Sequence, residues 1–512
     1  MSMLEELNKE QLNAVETVEG PLLIVAGPGT GKTRVITHRI AYLVNQFGIN
    51  PHRIAAMTFT NKAAREMRER LTTLMGAFSD KLTIGTFHSV CASILRRDGN
   101  HIGLDRGFLI YDDDDQLKLI KGCMEEHGID PRKFAPRAIQ SHISAAKSSL
   151  IDAEGYAIRA QSYLEEVVSR IYKRYQELIR KNKAVDFDDL LLSTYQLFNR
   201  NEELLKKYQA RYIHVLVDEF QDTNIPQYRI AQQLANKYKN ICVVGDPDQS
   251  IYSWRNADIR NILNFKKDYP EAQIITLEKN YRSTETILSA AQSVISKNQE
   301  RVDKELWTSN TKGSLIEITE EHDEEEEAQS VIREVERLVD QEGYKRSEIA
   351  IMYRVNAQSR ALEEACLRYG VPYQIIGGVK FYQRREVKDI IAYLRLLMNP
   401  HEDVSLTRII NIPSRGIGQR TLEQLIECTR ANDISIFSVI EGIIKQDKTM
   451  PSFPARSTRA LTDFFNLITL LNKESQELDI VETIDNILEH TGYQNFAQKD
   501  EKGEERWENI LE

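Results

Sequence analysis

The sequence predicts an α/β fold built on a parallel sheet, and three observations carry that prediction. An apolar run at residues 21–25 (PLLIV) leads into Ala26-Gly27-Pro28-Gly29-Thr30-Gly31-Lys32-Thr33, and an amphipathic run at 35–40 follows. Further short apolar runs recur at 53–58, 82–85, 212–217, 241–244 and 273–277, separated by stretches of helical periodicity. Each run ends in a short polar or glycine-containing segment, and ligands of open parallel sheets collect at the carboxyl ends of the strands.

Taken in order, the chain opens with a short polar helix near Leu7-Asn8-Lys9-Glu10-Gln11. Strand, glycine-rich loop and helix then follow in the order a phosphate-binding loop requires. Its glycines let consecutive backbone N–H groups converge on phosphate oxygens, and the helix N-terminus adds partial positive charge. Lys32 supplies a point charge for the β/γ-phosphates, and the Thr33 hydroxyl can ligate Mg²⁺. The second strand ends in Phe59-Thr60-Asn61-Lys62 and the third in Thr86-Phe87-His88-Ser89. From about 111 to 185 the pattern is helical and charged, with no strand candidate, so a helical insertion splits one α/β domain. Runs at 315–319, 349–353 and 373–376 predict a second, thin sheet, and beyond 384 the chain reads as helical to its end.

Bulk properties bound the class. At 512 residues the chain is too long for one core. It is 41% hydrophobic and 28% charged, with no apolar run of about eighteen residues, so neither a membrane span nor a membrane partner is expected. The acidic start, Met1-Ser2-Met3-Leu4-Glu5-Glu6, lacks the apolar segment of a secretory leader, which points to the cytoplasm. The 5 cysteines stand singly, without metal-ligand or disulfide spacing. A net charge of −10 disfavours polyanion binding by the surface as a whole but leaves room for a local positive groove. The acidic stretch 320–327 reads as a solvated start to a helix at 328–339.

Asp218-Glu219 closes the YIHVLV strand. After a phosphate loop, an acidic pair there can hold Mg²⁺ through Asp218 and polarise the attacking water through Glu219. Gln249 closes the following strand segment, where an amide can sense the γ-phosphate. Phe59, Tyr252 and Trp254 lie in loops at strand ends beside Lys62 and Arg255. Rings next to cations suit a single nucleic-acid strand, because every base has a face to stack.

These segments together resemble the superfamily 1 DNA helicases of the UvrD/PcrA/Rep type. The family motifs occur in order: Gln11, AGPGTGKTR, TFTNKAA, GTFHS, DEFQDTN, GDPDQSIYSWR, LEKNYRS and YRVNAQSR at 353–360, with GGVKFY at 377–382 fitting as well. The resemblance implies two RecA-like cores, each with a helical accessory insertion. It divides the chain into a first core (1–112 and 186–281), its insertion (113–185), part of a second core (282–383) and a second accessory region (384–512). It further implies ATP with Mg²⁺ and 3′-to-5′ translocation on single-stranded DNA. Junctions of single- and double-stranded DNA would be the sites of action, with repair or replication proteins as partners. Lys32, Asp218, Glu219, Gln249 and the arginine finger Arg282 would be catalytic, with Thr33 and Asp218 on the metal. Gln11 would meet the adenine edge, Arg34 and Tyr281 its faces, and Ala26 to Thr33 the phosphates. The DNA track would comprise Phe59, Asn61, Lys62, Thr86, His88, Phe187, Tyr252, Trp254, Arg255, Arg354 and Asn356, while the Arg415-Gly416-Ile417-Gly418 turn would face duplex phosphates.

Three departures stand out. Ala26 replaces the first glycine of the loop, and Asn256 replaces the usual glycine after Trp254-Arg255, where little effect is expected because Asn tolerates left-handed angles. The last two family motifs do not occur. The expectation is therefore a C-terminally truncated helicase with an incomplete second core, exposed apolar strand edges and impaired hydrolysis. A non-motor nucleotide-dependent DNA-binding protein, or the helicase part of a helicase–nuclease, are the alternatives.

Overall fold

The computed structural model describes residues 4–298, 304–355, 358–376, 384–499 and 503–511. The chain divides into two compact units, Met1–Ser314 and Leu315–Glu512. The strands of the first unit are β1 (Leu22–Ala26), β2 (Ile54–Thr58), β3 (Thr83–Thr86), β4 (Leu109–Tyr111), β5 (Ala184–Asp186), β6 (His214–Val217), β7 (Ile241–Gly245), β8 (Gln273–Leu277), β9 (Lys279–Asn280) and β10 (Trp307–Thr308). Six of these form one parallel sheet in the order β3-β2-β6-β7-β1-β8.

Side chains alternate across a strand, so each strand feeds two cores. Leu22, Ile24 and Ala26 pack with Ile54, Ala56, Val35 and Ile40 on one face. Leu23 and Val25 pack with Ala55, Met57, Val215 and Val217 on the other. Both faces are covered, as a parallel sheet requires, and its strands consequently read as unbroken apolar runs. Every segment singled out in this unit except Gln11 and Phe187 follows the carboxyl end of one of the six strands.

The helical insertion is closed by a strand pair that its polar sequence does not announce. β4 and β5 run parallel, with Leu109 opposite Ala184 and Tyr111 opposite Asp186. The stretch read as free of strands is thus corrected at both ends; three residues are too few for a periodicity signal. Beneath the pair, Lys147 is fully buried, with Nζ 2.5 Å from Asp186 Oδ2 and 2.8 Å from Asp189 Oδ1. Tyr175 donates its hydroxyl to Asp186 at 2.8 Å. This cluster fixes helix Pro136–Ser148 of the insertion against the start of helix Phe187–Arg200.

The second unit departs from expectation. Among its described residues the runs at 315–319, 349–353 and 373–376 form no strand. A run of four or five apolar residues needs a ladder partner to become a strand. Here the side chains stay exposed: Leu315 79%, Ile318 93%, Met352 92% and Ile376 88%. Helices Glu324–Glu342 and Ser359–Tyr369 pack through Ile332, Val335, Ala365 and Cys366. A separate helical core surrounds Tyr393, Leu396, Leu461 and Phe464. Arg415 is turned into that core rather than outward. Its guanidinium donates to Ile409 O, Ile412 O and Pro413 O at 3.0–3.2 Å and lies over the Tyr393 and Phe464 rings. A guanidinium beside three orphan carbonyls near a helix end caps them, so Arg415 organises the turn from within.

Candidate nucleotide and DNA site

The phosphate loop leaves β1 at Ala26, which lies within the strand opposite Leu277. That placement explains why alanine suffices where the family pattern has glycine: the residue needs extended backbone and has room for a methyl. Gly29 and Gly31 are different, with φ of +69° and +91°. A Cβ on Gly29 would also come within 2.7 Å of both Arg282 Cβ and Asn280 Nδ2. The loop is braced from several sides. Thr30 Oγ1 donates to Gly27 O at 2.8 Å, Asn280 Nδ2 to Pro28 O at 2.6 Å and Tyr281 N to Gly29 O at 2.9 Å. Asn280 Oδ1 in turn accepts from Arg282 N at 2.9 Å. The segment carrying the expected arginine finger is therefore stitched directly to the loop, with the Arg282 side chain exposed.

Gln11 is buried, and both ends of its amide are engaged. Nε2 donates to Thr30 O at 2.9 Å and Oε1 accepts from Asn8 N at 3.1 Å. Gln11 is thus a strut between the first helix, Lys9–Glu16, and the phosphate loop. Asn8 completes the capping box and donates Nδ2 to the Tyr281 hydroxyl at 2.9 Å. Tyr281 is 43% exposed, with the Lys279 ammonium 5.1 Å from its ring centroid. Arg34 pairs with Glu6 at 2.5 Å.

Three strand ends meet at Lys32. Its Nζ lies 2.7 Å from Glu219 Oε2 and 3.3 Å from Gln249 Oε1. Glu219 has φ +48°, a left-handed conformation that costs a non-glycine residue about 1–3 kcal/mol and clusters at functional sites. It is held by Gln221 Nε2, 3.0 Å from Oε2. Gln249 Nε2 donates to Asp246 Oδ2 at 2.6 Å, and Asp246 N donates to Gln221 Oε1 at 2.9 Å. Asp218 is buried behind this group. Burial first, and the neighbouring Glu219 second, push its carboxyl up to about 7. Asp222 is pushed up to about 6 by the same two causes. The pocket is thus short of positive charge.

The aromatic residues form two groups, a row of three rings and a pair. Phe59 and Tyr252 have ring centroids 4.7 Å apart, and Trp254 follows Tyr252 at 6.2 Å. Trp254 is 70% exposed. Phe187, at the first turn of its helix, is 48% exposed with its ring 5.9 Å from His88. Burial lowers His88 to about 4, so the ring is neutral near pH 7. Asn61 and Lys62 are exposed at the start of helix Asn61–Met75. Thr86 is buried and caps the next helix by accepting from Ser89 N at 3.2 Å. Arg354 belongs to the second unit, where it is exposed; Asn356, residues 377–382 of the GGVKFY stretch and the Arg255 side chain lie outside the described residues.

Five residues at this site escape a reading by motif role. Gln221, Asp246 and Asn280 sit inside quoted motifs, yet their work is visible only through their contacts. Asn8 carries a faint signal, the Asn-x-x-Gln spacing of a capping box. Lys304 has none: it is a single lysine in Asp303-Lys304-Glu305-Leu306, yet its buried ammonium contacts Asp246 and lies 2.8 Å from Asp248 Oδ2.

The UvrD/REP helicase N-terminal domain matches residues 7–270, and the UvrD-like helicase C-terminal domain matches 275–450. The ATP-dependent DNA helicase PcrA of Bacillus subtilis (strain 168) is 47% identical over 512 residues, covering 100% of this chain and 69% of that protein. The protein of the same name from Staphylococcus aureus (strain Mu50 / ATCC 700699) is 45% identical over 513 residues, covering 100% of this chain and 70% of its own length. Matched by these domains from Leu7 to Met450 and similar to such relatives throughout, the chain belongs to the UvrD/REP helicase family.

Proposed function

We propose that this protein is an ATP-driven motor that translocates 3′ to 5′ on single-stranded DNA and opens duplexes at junctions, serving DNA repair and replication in the cytoplasm. The observation that carries this reading is the convergence of Lys32, Glu219 and Gln249, with 2.7 Å and 3.3 Å between the ammonium and its two partners. A phosphate-binding cation, a candidate base and a candidate sensor share one point, so an arriving triphosphate must rearrange all three. In the proposed roles Lys32 and Arg282 offset charge on the transferring phosphoryl, Glu219 takes the proton of the attacking water, and Gln249 reports the γ-phosphate. Arg34 and Tyr281 would stack on adenine, with Gln11 behind them.

Thr33 and Asp218 fit Mg²⁺, which favours oxygen ligands and commonly uses one or two carboxylates together with substrate phosphates. The raised Asp218 carboxyl marks a buried anion without enough cationic charge around it. Held by Thr33 and Asp218, the ion would offset negative charge on the bound phosphates.

Phe59, Tyr252, Trp254 and Phe187 would stack bases, with Asn61, Lys62, Thr86, His88, Arg255, Arg354 and Asn356 along the strand. Residues 113–185 and 384–512 are read as the accessory regions of cores at 1–112 with 186–281 and at 282–383. Trp254→Ala is expected to lose roughly 1–3 kcal/mol of single-strand affinity, the usual worth of a stacked base. Fluorescence anisotropy with an oligothymidylate checks this, and unchanged affinity removes Trp254 from the track.

The decisive experiment measures ATP turnover with and without single-stranded DNA, and displacement from duplexes bearing a 3′ or a 5′ tail. DNA-stimulated turnover with opening of the 3′-tailed substrate supports the motor. Turnover indifferent to DNA overturns it and favours a nucleotide-dependent DNA-binding protein, a reading to which the absence of a sheet among the described residues of the second unit lends weight.

A further inference from the structure

We propose that Lys304 is a positioning residue for Gln249, and that residues 304–308 tie the phosphate sensor to both the phosphate loop and the arginine-finger segment. The inference rests on the motor reading for its kinetic consequences, but not for its structural ones.

The Lys304 side chain is only 2% exposed, and that of Asp246 is fully buried. The ammonium contacts Asp246 Oδ1 and lies 2.8 Å from Asp248 Oδ2. Asp246 uses its other oxygen to accept from Gln249 Nε2 at 2.6 Å. That bond decides which way the Gln249 amide faces, since only with Nε2 on Asp246 does Oε1 point at Lys32, 3.3 Å away. A continuous chain of side chains therefore runs from Lys304 through Asp246, Gln249 and Lys32 to Glu219.

Without the ammonium, the buried Asp246 carboxylate would lose the cation that holds its Oδ1, and it would protonate or swing out. Either outcome removes the fixed acceptor that orients Gln249.

The same short segment is anchored at two further points. Leu306 packs directly on Gly27 of the phosphate loop, and its carbonyl accepts from Gln292 Nε2 at 2.7 Å. Trp307 and Thr308 form β10 and pair with Lys279 and Asn280 of β9, immediately before Tyr281 and Arg282. Lys304 thus lies three residues before the strand that pairs with the finger segment, while its ammonium holds the sensor loop. A displacement of either is transmitted to the other.

The test compares Lys304→Met and Lys304→Arg with the parent chain. Three quantities are read: amide hydrogen exchange of residues 246–250 without nucleotide, ATP affinity, and kcat and KM with single-stranded DNA. For Lys304→Met we expect lost protection in 246–250, kcat lower by about tenfold or more, and KM within about twofold. Lys304→Arg is expected to recover most of the protection and the rate, because charge and donors are retained. Adding Lys304→Met to Gln249→Ala should cost little further, since both act through one amide.

If Lys304→Met does not fold, Lys304→Met with Asp248→Asn leaves a single buried carboxylate and carries the same expectations. Parent-like exchange and kcat in a folded variant lacking Lys304 overturn the proposal. A parent chain without DNA-stimulated turnover would instead overturn the motor reading, and hydrogen exchange would still decide the role of Lys304.

Discussion

Glu219→Gln is expected to bind ATP at least as tightly as the parent chain while DNA-stimulated turnover falls by about 10²–10⁴-fold, the usual contribution of a positioned general base. The two halves of this expectation have one origin. Glu219 Oε2 lies 2.7 Å from Lys32 Nζ, so a β/γ-phosphate and this carboxylate compete for one ammonium. An amide competes less well for that ammonium, and phosphate gains. The same amide is a poor proton acceptor, and the water loses its base. Binding of a fluorescent ATP analogue and steady-state turnover, measured on one preparation, check both. Weaker nucleotide binding would show that Glu219 does not compete for Lys32, and undiminished turnover would move the base elsewhere.

Asp218→Asn is expected to abolish most turnover yet raise the thermal stability of the ligand-free protein above neutral pH. The sign follows from the direction of the shift. The Asp218 carboxyl is pushed from 3.8 up to about 7, chiefly by burial and then by Glu219. Between those values the native state keeps a proton that the unfolded chain has released, so stability falls as pH rises across that window. The favourable contribution is complete below about pH 4 and lost above about pH 7. At about 1.4 kcal/mol per pKa unit this amounts to about 4 kcal/mol. Asparagine removes the slope. Its melting temperature should match the parent near pH 4.5 and exceed it at pH 8 by an amount on the order of 5 °C. Melts at both pH values are the check; a variant less stable than the parent at pH 8 would mean that Asp218 is already compensated in the free protein.

Much of this site is legible in the sequence because of how parallel sheets are made. Buried on both faces, the strands of the first unit read as unbroken apolar runs, and their ends are marked by the polar residues proposed to do the chemistry. Lys32, Asp218, Glu219 and Gln249 are found that way, and the structure brings Lys32 within reach of two of them. What stays hidden depends on partners distant in sequence. The 315–319 run has the composition of a strand, but composition cannot say whether a neighbour exists to receive its hydrogen bonds. β4 and β5 make the opposite case, too short to announce themselves and real only because they meet. Lys304 looks like any surface lysine until Asp246 and Asp248 are found around it, and Arg415 looks like a phosphate ligand until its donors are traced to carbonyls of its own turn.

The asparagine at 256 has a thermodynamic consequence beyond tolerating a left-handed turn. At φ +62° it does what glycine would do for the backbone, but it also donates Nδ2 to Ser148 Oγ at 3.1 Å. Ser148 ends helix Pro136–Ser148 of the insertion, next to buried Lys147, whereas Asn256 ends the loop that displays Tyr252 and Trp254. A glycine there would let that loop open as a local event of its own. With the bond in place, opening must also release the end of the helix, and a bond of about 0.5–1.5 kcal/mol lowers the open population by roughly two- to tenfold. The aromatic loop and the end of helix Pro136–Ser148 are therefore coupled by about that much, and what loosens the insertion also loosens the rings.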